Sequence, residues 1–146
     1  MSGLSRLEDW PERLAALIDA RMSVPFRWGS NDCALFAADA VQAVTGVDLA
    51  AVWRGQYADE EGARSMRSAS SHLASGDIVA ALREMAHRRL GPDAPPLMAR
   101  RGDIVLVEHD NGHSLAVCLG SMAAAPGRRG LMVLDRAAWR AAWRVG

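Results

Sequence analysis

The sequence predicts an α+β domain, with helices through the first two thirds of the chain and an antiparallel sheet made from the last third. Three observations predict it. Apolar residues recur at helical spacing up to Leu90. Pro92, Pro95 and Pro96 then mark a connector. Beyond it, two apolar runs flank Asp110-Asn111-Gly112, and Asn-Gly suits a type I′ hairpin turn. The 146 residues fit one domain spanning 1–146, and half of them are apolar, enough for a core.

The first helix is expected over Pro11 to Met22, capped by Asp9, with Leu14, Leu17 and Ile18 on one face and Pro25 beyond its end. The second runs from Cys33 to Thr45. Ser30, Asn31 and Asp32 are all cap types, Gly46 is the stop, and Leu35, Phe36, Val41 and Val44 among many alanines make it apolar all round, hence buried. Val47 to Tyr57 reads as irregular, followed by a short helix from Asp59 to Ala69. A helix from Asp77 to Leu90, with Ser75 as cap and Gly91 as stop, buries Ile78, Leu82, Met85, Ala86 and Leu90. Strands are expected at Ile104–Glu108, His113–Leu119 and Leu131–Asp135, with Gly120 to Gly130 as a loop. Arg136 to Arg144 is a short helix, a strand, or one followed by the other.

Composition narrows the function. Acidic and basic residues balance at 17 each, so no net field favours nucleic acid or an anionic membrane. The cations are all arginine, which removes every lysine-based mechanism. Two cysteines, Cys33 and Cys118, lie far apart and outside any metal spacing, so reduced thiols and no metal or other cofactor are expected. The N-terminal stretch lacks the pattern of a signal peptide, and no run reaches the length of a membrane span. The chain is therefore expected to be made in the cytoplasm without a leader of its own.

Cys33 carries most of the chemical information. A thiol in the first turn of a helix feels the positive end of the helix dipole, which favours the nucleophilic thiolate. A thiolate acting on an acyl group needs a base, and histidine titrates near neutral pH. His72 lies in a serine-rich turn and His87 beside Arg88 and Arg89 on a helix; neither has an evident role. His109 and His113 flank the hairpin. A two-residue Asn111-Gly112 loop pairs Asp110 with His113 and His109 with Ser114. His109 then shares a face with Val105, Val107, Ser114, Ala116 and Cys118, and His113 shares the other with Ile104, Leu106, Leu115 and Val117. Asp32 is a helix cap or a polar contact to substrate, and Trp28 is core or cleft wall. Cys118 is a packing residue, and Asp135 caps the final helix or turn.

Trp28-Gly-x-x-Asp32-Cys33 opening a helix, then Arg101-Gly-Asp-Ile-Val-Leu-Val, then His113-Ser-Leu-Ala-Val-Cys-Leu-Gly, resembles the papain-like cell-wall peptidases of the NlpC type. From Phe26 onward the chain is also similar to a small phage and prophage family related to them, which shares the Ala-Trp-Arg ending seen at Ala142-Trp143-Arg144. The resemblance implies a papain-like fold with the nucleophile helix packed on the sheet, and a Cys-His hydrolase cleaving amide bonds of peptidoglycan stem peptides. Cys33 takes the nucleophile's position, and Trp28 and Asp32 line the substrate site. Counting back from the closing Leu-Gly puts the family's histidine on Ser114. His113 takes the role if a β-bulge at the hairpin tip restores it, and His109 is the alternative base. Partners would be the peptidoglycan peptide and other phage tail proteins, and the location a phage or phage-like tail. The same resemblance allows a papain-like domain without catalysis, serving as a tail-tip or assembly component.

Overall fold

The computed structural model describes residues 3–63 and 78–146. Its element order is α1 (Trp10–Arg21), α2 (Cys33–Thr45), α3 (Ile78–Leu90), then β1 (Ile104–His109), β2 (Gly112–Cys118), β3 (Met122–Gly127), β4 (Gly130–Asp135) and β5 (Trp139–Trp143). The architecture is α+β, with helices packed on a five-stranded antiparallel sheet of order β4-β3-β2-β1-β5. His72 and the expected cap Ser75 lie outside the described residues, as does most of the expected helix from Asp59 to Ala69, of which 60–63 are helical.

α2 is the central helix. Ala34, Leu35, Phe36, Ala37, Ala38, Ala40, Val41 and Val44 are buried, so nearly its whole circumference is covered. One side meets the sheet through Phe36, Val41 and Val44, beside Ile104, Leu106, Leu115, Val117 and Trp143. Another meets the 48–57 segment, where Ala50, Trp53 and Tyr57 pack on Leu35 and Ala38. Full burial of a side chain such as Phe36 stabilises by roughly 1.5–3 kcal/mol. The helix closes at Gly46, whose φ of +81° suits glycine and whose N–H donates to Gln42 O. α1 starts one residue before the expected Pro11. Its Asp9 makes no side-chain cap, because Oδ1 accepts from Arg13 Nε instead (2.9 Å).

The largest correction is β3. Met122 to Gly127 lies inside the expected loop of Gly120 to Gly130, yet it pairs with β4 from Met122↔Asp135 to Gly127↔Gly130. Alanine and proline are poor strand formers, which hides the segment from propensity. It forms because Ala123, Ala124 and Ala125 are almost fully buried, with Ala124 on the helix side and the other two on the far side. The last segment is a 3-10 turn at Arg136–Ala138 followed by β5.

The β1–β2 hairpin turns one residue earlier than Asn111-Gly112. His109 pairs with Gly112, Glu108 with His113 and Val107 with Ser114, so Asp110 and Asn111 form the loop. Each strand has slipped by one relative to expectation. The two slips cancel in parity, and the membership of each face stands as the sequence implied. The register is continuous, so no bulge at the hairpin tip is involved. An irregularity falls instead between Leu106 and Val107 in the pairing with β5.

Candidate active site

Cys33 opens α2, half-buried and packed against the helix-side core. The preceding turn is held by side chains of its own. Asp32 is the N-cap, with Oδ1 accepting from Leu35 N–H (2.9 Å) and Oδ2 from Gly29 N–H (3.1 Å). The Tyr57 hydroxyl also donates to Asp32 Oδ2. With 1% exposure and three donors, this carboxylate takes the cap role rather than that of a substrate contact. A carboxylate next to a thiol opposes its ionisation, while the three donors draw off that charge and the helix start favours the thiolate. Buried Asn31 staples the turn from the other side, donating Nδ2–H to Pro25 O (3.0 Å) and Val24 O (3.3 Å). Arg21 Nη1 donates to its Oδ1 (2.8 Å). Gly29 has φ +82°, and a Cβ there would lie 2.2 Å from Tyr57 O, so only glycine fits. Trp28 is half-buried, edge-on to Phe26 with ring centroids 4.8 Å apart.

Behind the turn, Arg21 Nη2 pairs with Asp39 Oδ2 (2.6 Å) and Arg54 Nη2 with Asp39 Oδ1 (2.8 Å). Arg54 also grips Asp48 through Nε (3.0 Å) and Nη2 (2.9 Å). Those hydrogen bonds hold the Asp48 carboxyl below its ordinary range. The network fixes the 48–57 segment, and with it Tyr57, against α2.

The direction of α2 follows from its two ends. Phe26 N–H donates to Gly127 O (2.7 Å), and Leu131 N–H to Met22 O (3.1 Å), so the turn before Cys33 sits on the β3–β4 hairpin. Since Val117 pairs with Ala124 antiparallel, β3 runs from there toward the end of the sheet at which β2 starts, where His113 stands. At the other end, Leu7 N–H donates to Val44 O (2.8 Å). The neighbouring Arg6 binds Asp103 at the entry to β1 (2.9 Å). Cys33 and His113 therefore occupy the same end of the sheet, and His113 shares its face with Leu115 and Val117, the face that packs on α2.

The other histidines are placed elsewhere. His109 is on the opposite face, with Val107 and Ala116. Its Nδ1 accepts from Asn111 N–H (3.2 Å), which puts the proton on Nε2, and Nε2 meets Ser114 Oγ at 2.9 Å. The pair looks like a serine nucleophile with its base, but this tautomer donates to the hydroxyl and cannot take its proton. Burial first, and the His113 charge second, push the His109 pKa down. His87 accepts from Trp143 Nε1–H (3.2 Å), and Trp143 pairs with Ile104, far from the hairpin tip. Cys118 is fully buried, burial pushes its thiol pKa up, and its sulfur contacts Gly120 N and O at 3.4 and 3.5 Å. Asp135 caps the 3-10 turn through Ala137 N–H (3.0 Å).

Three functional candidates escaped the sequence reading. Tyr57 and Asn31 act through folding of the turn, and nothing local signals either role. Glu108 lies directly across from His113, with Oε1 4.0 Å from Nε2, and also accepts from Arg140 Nε (3.0 Å). The correct hairpin register would have found it. Among the described residues, no group of three His, Cys, Asp or Glu is placed to hold a metal ion. Among them, too, no helix is long and apolar enough to cross a membrane.

The profile of a family described as a domain of unknown function (DUF6950) matches residues 5–145. No curated protein matches the chain.

Proposed function

The chain belongs to the DUF6950 family, and for its activity we propose a papain-like cysteine hydrolase that cleaves amide bonds, with peptidoglycan stem peptides as substrate. The observation that carries this reading is that Cys33 and His113 share one face and one end of the sheet, while His109 does not. The Cys33 thiolate attacks the amide carbonyl, and backbone N–H groups at the start of α2 receive the developing oxyanion. His113 takes the thiol proton and returns it to the leaving amine. The C–N bond breaks, and water delivered through His113 then releases the acyl group from sulfur. Glu108, 4.0 Å from His113 Nε2, is the carboxylate nearest to hand for stabilising the imidazolium. The resemblance of the Asp32-Cys33 and Gly102-Asp103 motifs to the NlpC type supports the same assignment, with the protein incorporated in a phage or phage-like tail.

The test is release of soluble muropeptides from purified peptidoglycan by the native protein, Cys33→Ala and His113→Ala. Native activity that both substitutions abolish supports the proposal. Undiminished release by Cys33→Ala rules it out.

One observation favours a second reading. β3, the strand after the one bearing His113, reads Met-Ala-Ala-Ala-Pro-Gly and brings no polar side chain to the imidazole. A papain-like domain without catalysis, built into a phage tail, accounts for that strand. Such a protein releases nothing from peptidoglycan and co-purifies with tail components.

A further inference from the structure

The end of the sheet that carries Cys33 and His113 also separates positive from negative surface charge. The β3–β4 turn is Arg128-Arg129, both exposed. It is fastened to the turn before Cys33 by the Phe26–Gly127 and Leu131–Met22 hydrogen bonds. The fit is close, since a Cβ on Gly130 would lie 2.2 Å from Met22 O. Exposed Arg27 comes directly after Phe26. Among the described residues, none of these three arginines takes part in an ion pair. The β1–β2 turn at the same end carries exposed Asp110, while Glu108 two residues before it is paired with Arg140 (3.0 Å). β3 and β2 are neighbours in the sheet, so the two turns belong to adjacent hairpins at this end. His113, on β2, lies between them.

Resting on the reading of this end as a peptide-cleaving site, the geometry points to Arg27, Arg128 and Arg129 as specificity-determining residues for a peptide that presents a carboxylate on the β3–β4 side of Cys33. A guanidinium matches a carboxylate with two parallel hydrogen bonds. The same carboxylate is repelled from the Asp110 side, so charge fixes the direction in which the peptide lies.

The experiment titrates two ligands into the Cys33→Ala protein by calorimetry: a stem peptide with free carboxylates, and the same peptide with those carboxylates amidated. The free acid is expected to bind more tightly, and added salt to narrow the gap. Arg128→Ala/Arg129→Ala is expected to weaken the free acid about fivefold, the scale of exposed ion pairs, and to leave the amide form unchanged. Equal affinities, failure of either form to bind, or an acid preference untouched by that double substitution and by Arg27→Ala overturns the assignment. Cleavage by the native protein is read separately. An acid preference without Cys33-dependent cleavage sinks the hydrolase reading alone, whereas cleavage that ignores amidation sinks only the arginine assignment.

Discussion

The two ends of the sheet are built on different plans. At the β1 entry, Asp103 is 1% exposed and both carboxylate oxygens are used. Oδ1 accepts from Arg6 Nη2 (2.9 Å) and Val145 N–H (3.0 Å), and Oδ2 from Arg100 N–H (2.9 Å). Arg6 also donates to Val145 O (2.8 Å) and Arg101 O (2.7 Å) and lies over the Trp10 ring. One carboxylate thus joins both chain ends to the sheet. At the hairpin end, the thiol is half-exposed and His113 has a loose carboxylate neighbour in Glu108 at 4.0 Å. A fully satisfied buried polar cluster is rigid, while half-exposed groups are within reach of solvent and of a ligand. The Asp103 end is built for stability, and the Cys33 end is where the proposed chemistry would sit.

The sharpest challenge to this division is Asp103→Ala. It removes the charge partner of a half-buried guanidinium and leaves two backbone donors unpaired, and is expected to cost about 3 kcal/mol in chemical denaturation. A loss below ~1 kcal/mol would show that the clamp is not what holds the termini. Cys33→Ala is expected to leave the denaturation midpoint nearly unchanged.

Tyr57→Phe probes the border between the two plans. Losing one hydrogen bond to a charged acceptor is expected to cost about 1.5 kcal/mol. It also returns negative charge to Asp32 beside the thiol, so the midpoint of Cys33 alkylation should move to higher pH. A stability loss with no change in thiol titration would confine Tyr57 to a structural role.

Much of the helical half was legible because its signals are local. Three cap-type residues before Cys33 and a glycine after Thr45 bracket α2 correctly, and its apolar circumference announces burial. Face membership in the hairpin was legible too, because parity survived the one-residue slip. β3 was not, because burial on both faces of the sheet, and not propensity, makes a strand of three alanines and a proline. The Asp103 clamp was invisible because Arg6 and Val145 lie 97 and 42 residues away, and the Tyr57–Asp32 contact spans 25. At the candidate site, the capped turn that opens α2 at Cys33 was readable from sequence. The choice between His113 and His109 required the placement of α2 on one face of the sheet.

The smallest expected effect concerns His109. Its pKa is lowered in the folded state, chiefly by burial, so the fold favours the neutral ring. The stabilisation it gives is complete above the unfolded histidine pKa of about 6.5 and is lost as pH falls through the lower folded value. Denaturation midpoints measured from pH 7.5 downward should fall more steeply in the native protein than in His109→Asn. Parallel curves would show that the ring contributes nothing in that range.

The catalytic reading turns on the His113 imidazole acting on the Cys33 sulfur. Its most direct measure is the pH profile of Cys33 alkylation, followed by peptide-resolved mass spectrometry so that buried Cys118 is read separately, in the native protein and in His113→Ala. The expected native midpoint lies well below the ordinary thiol value of about 8.5 and moves upward when the imidazole is removed. A midpoint near that value in both proteins would contradict it.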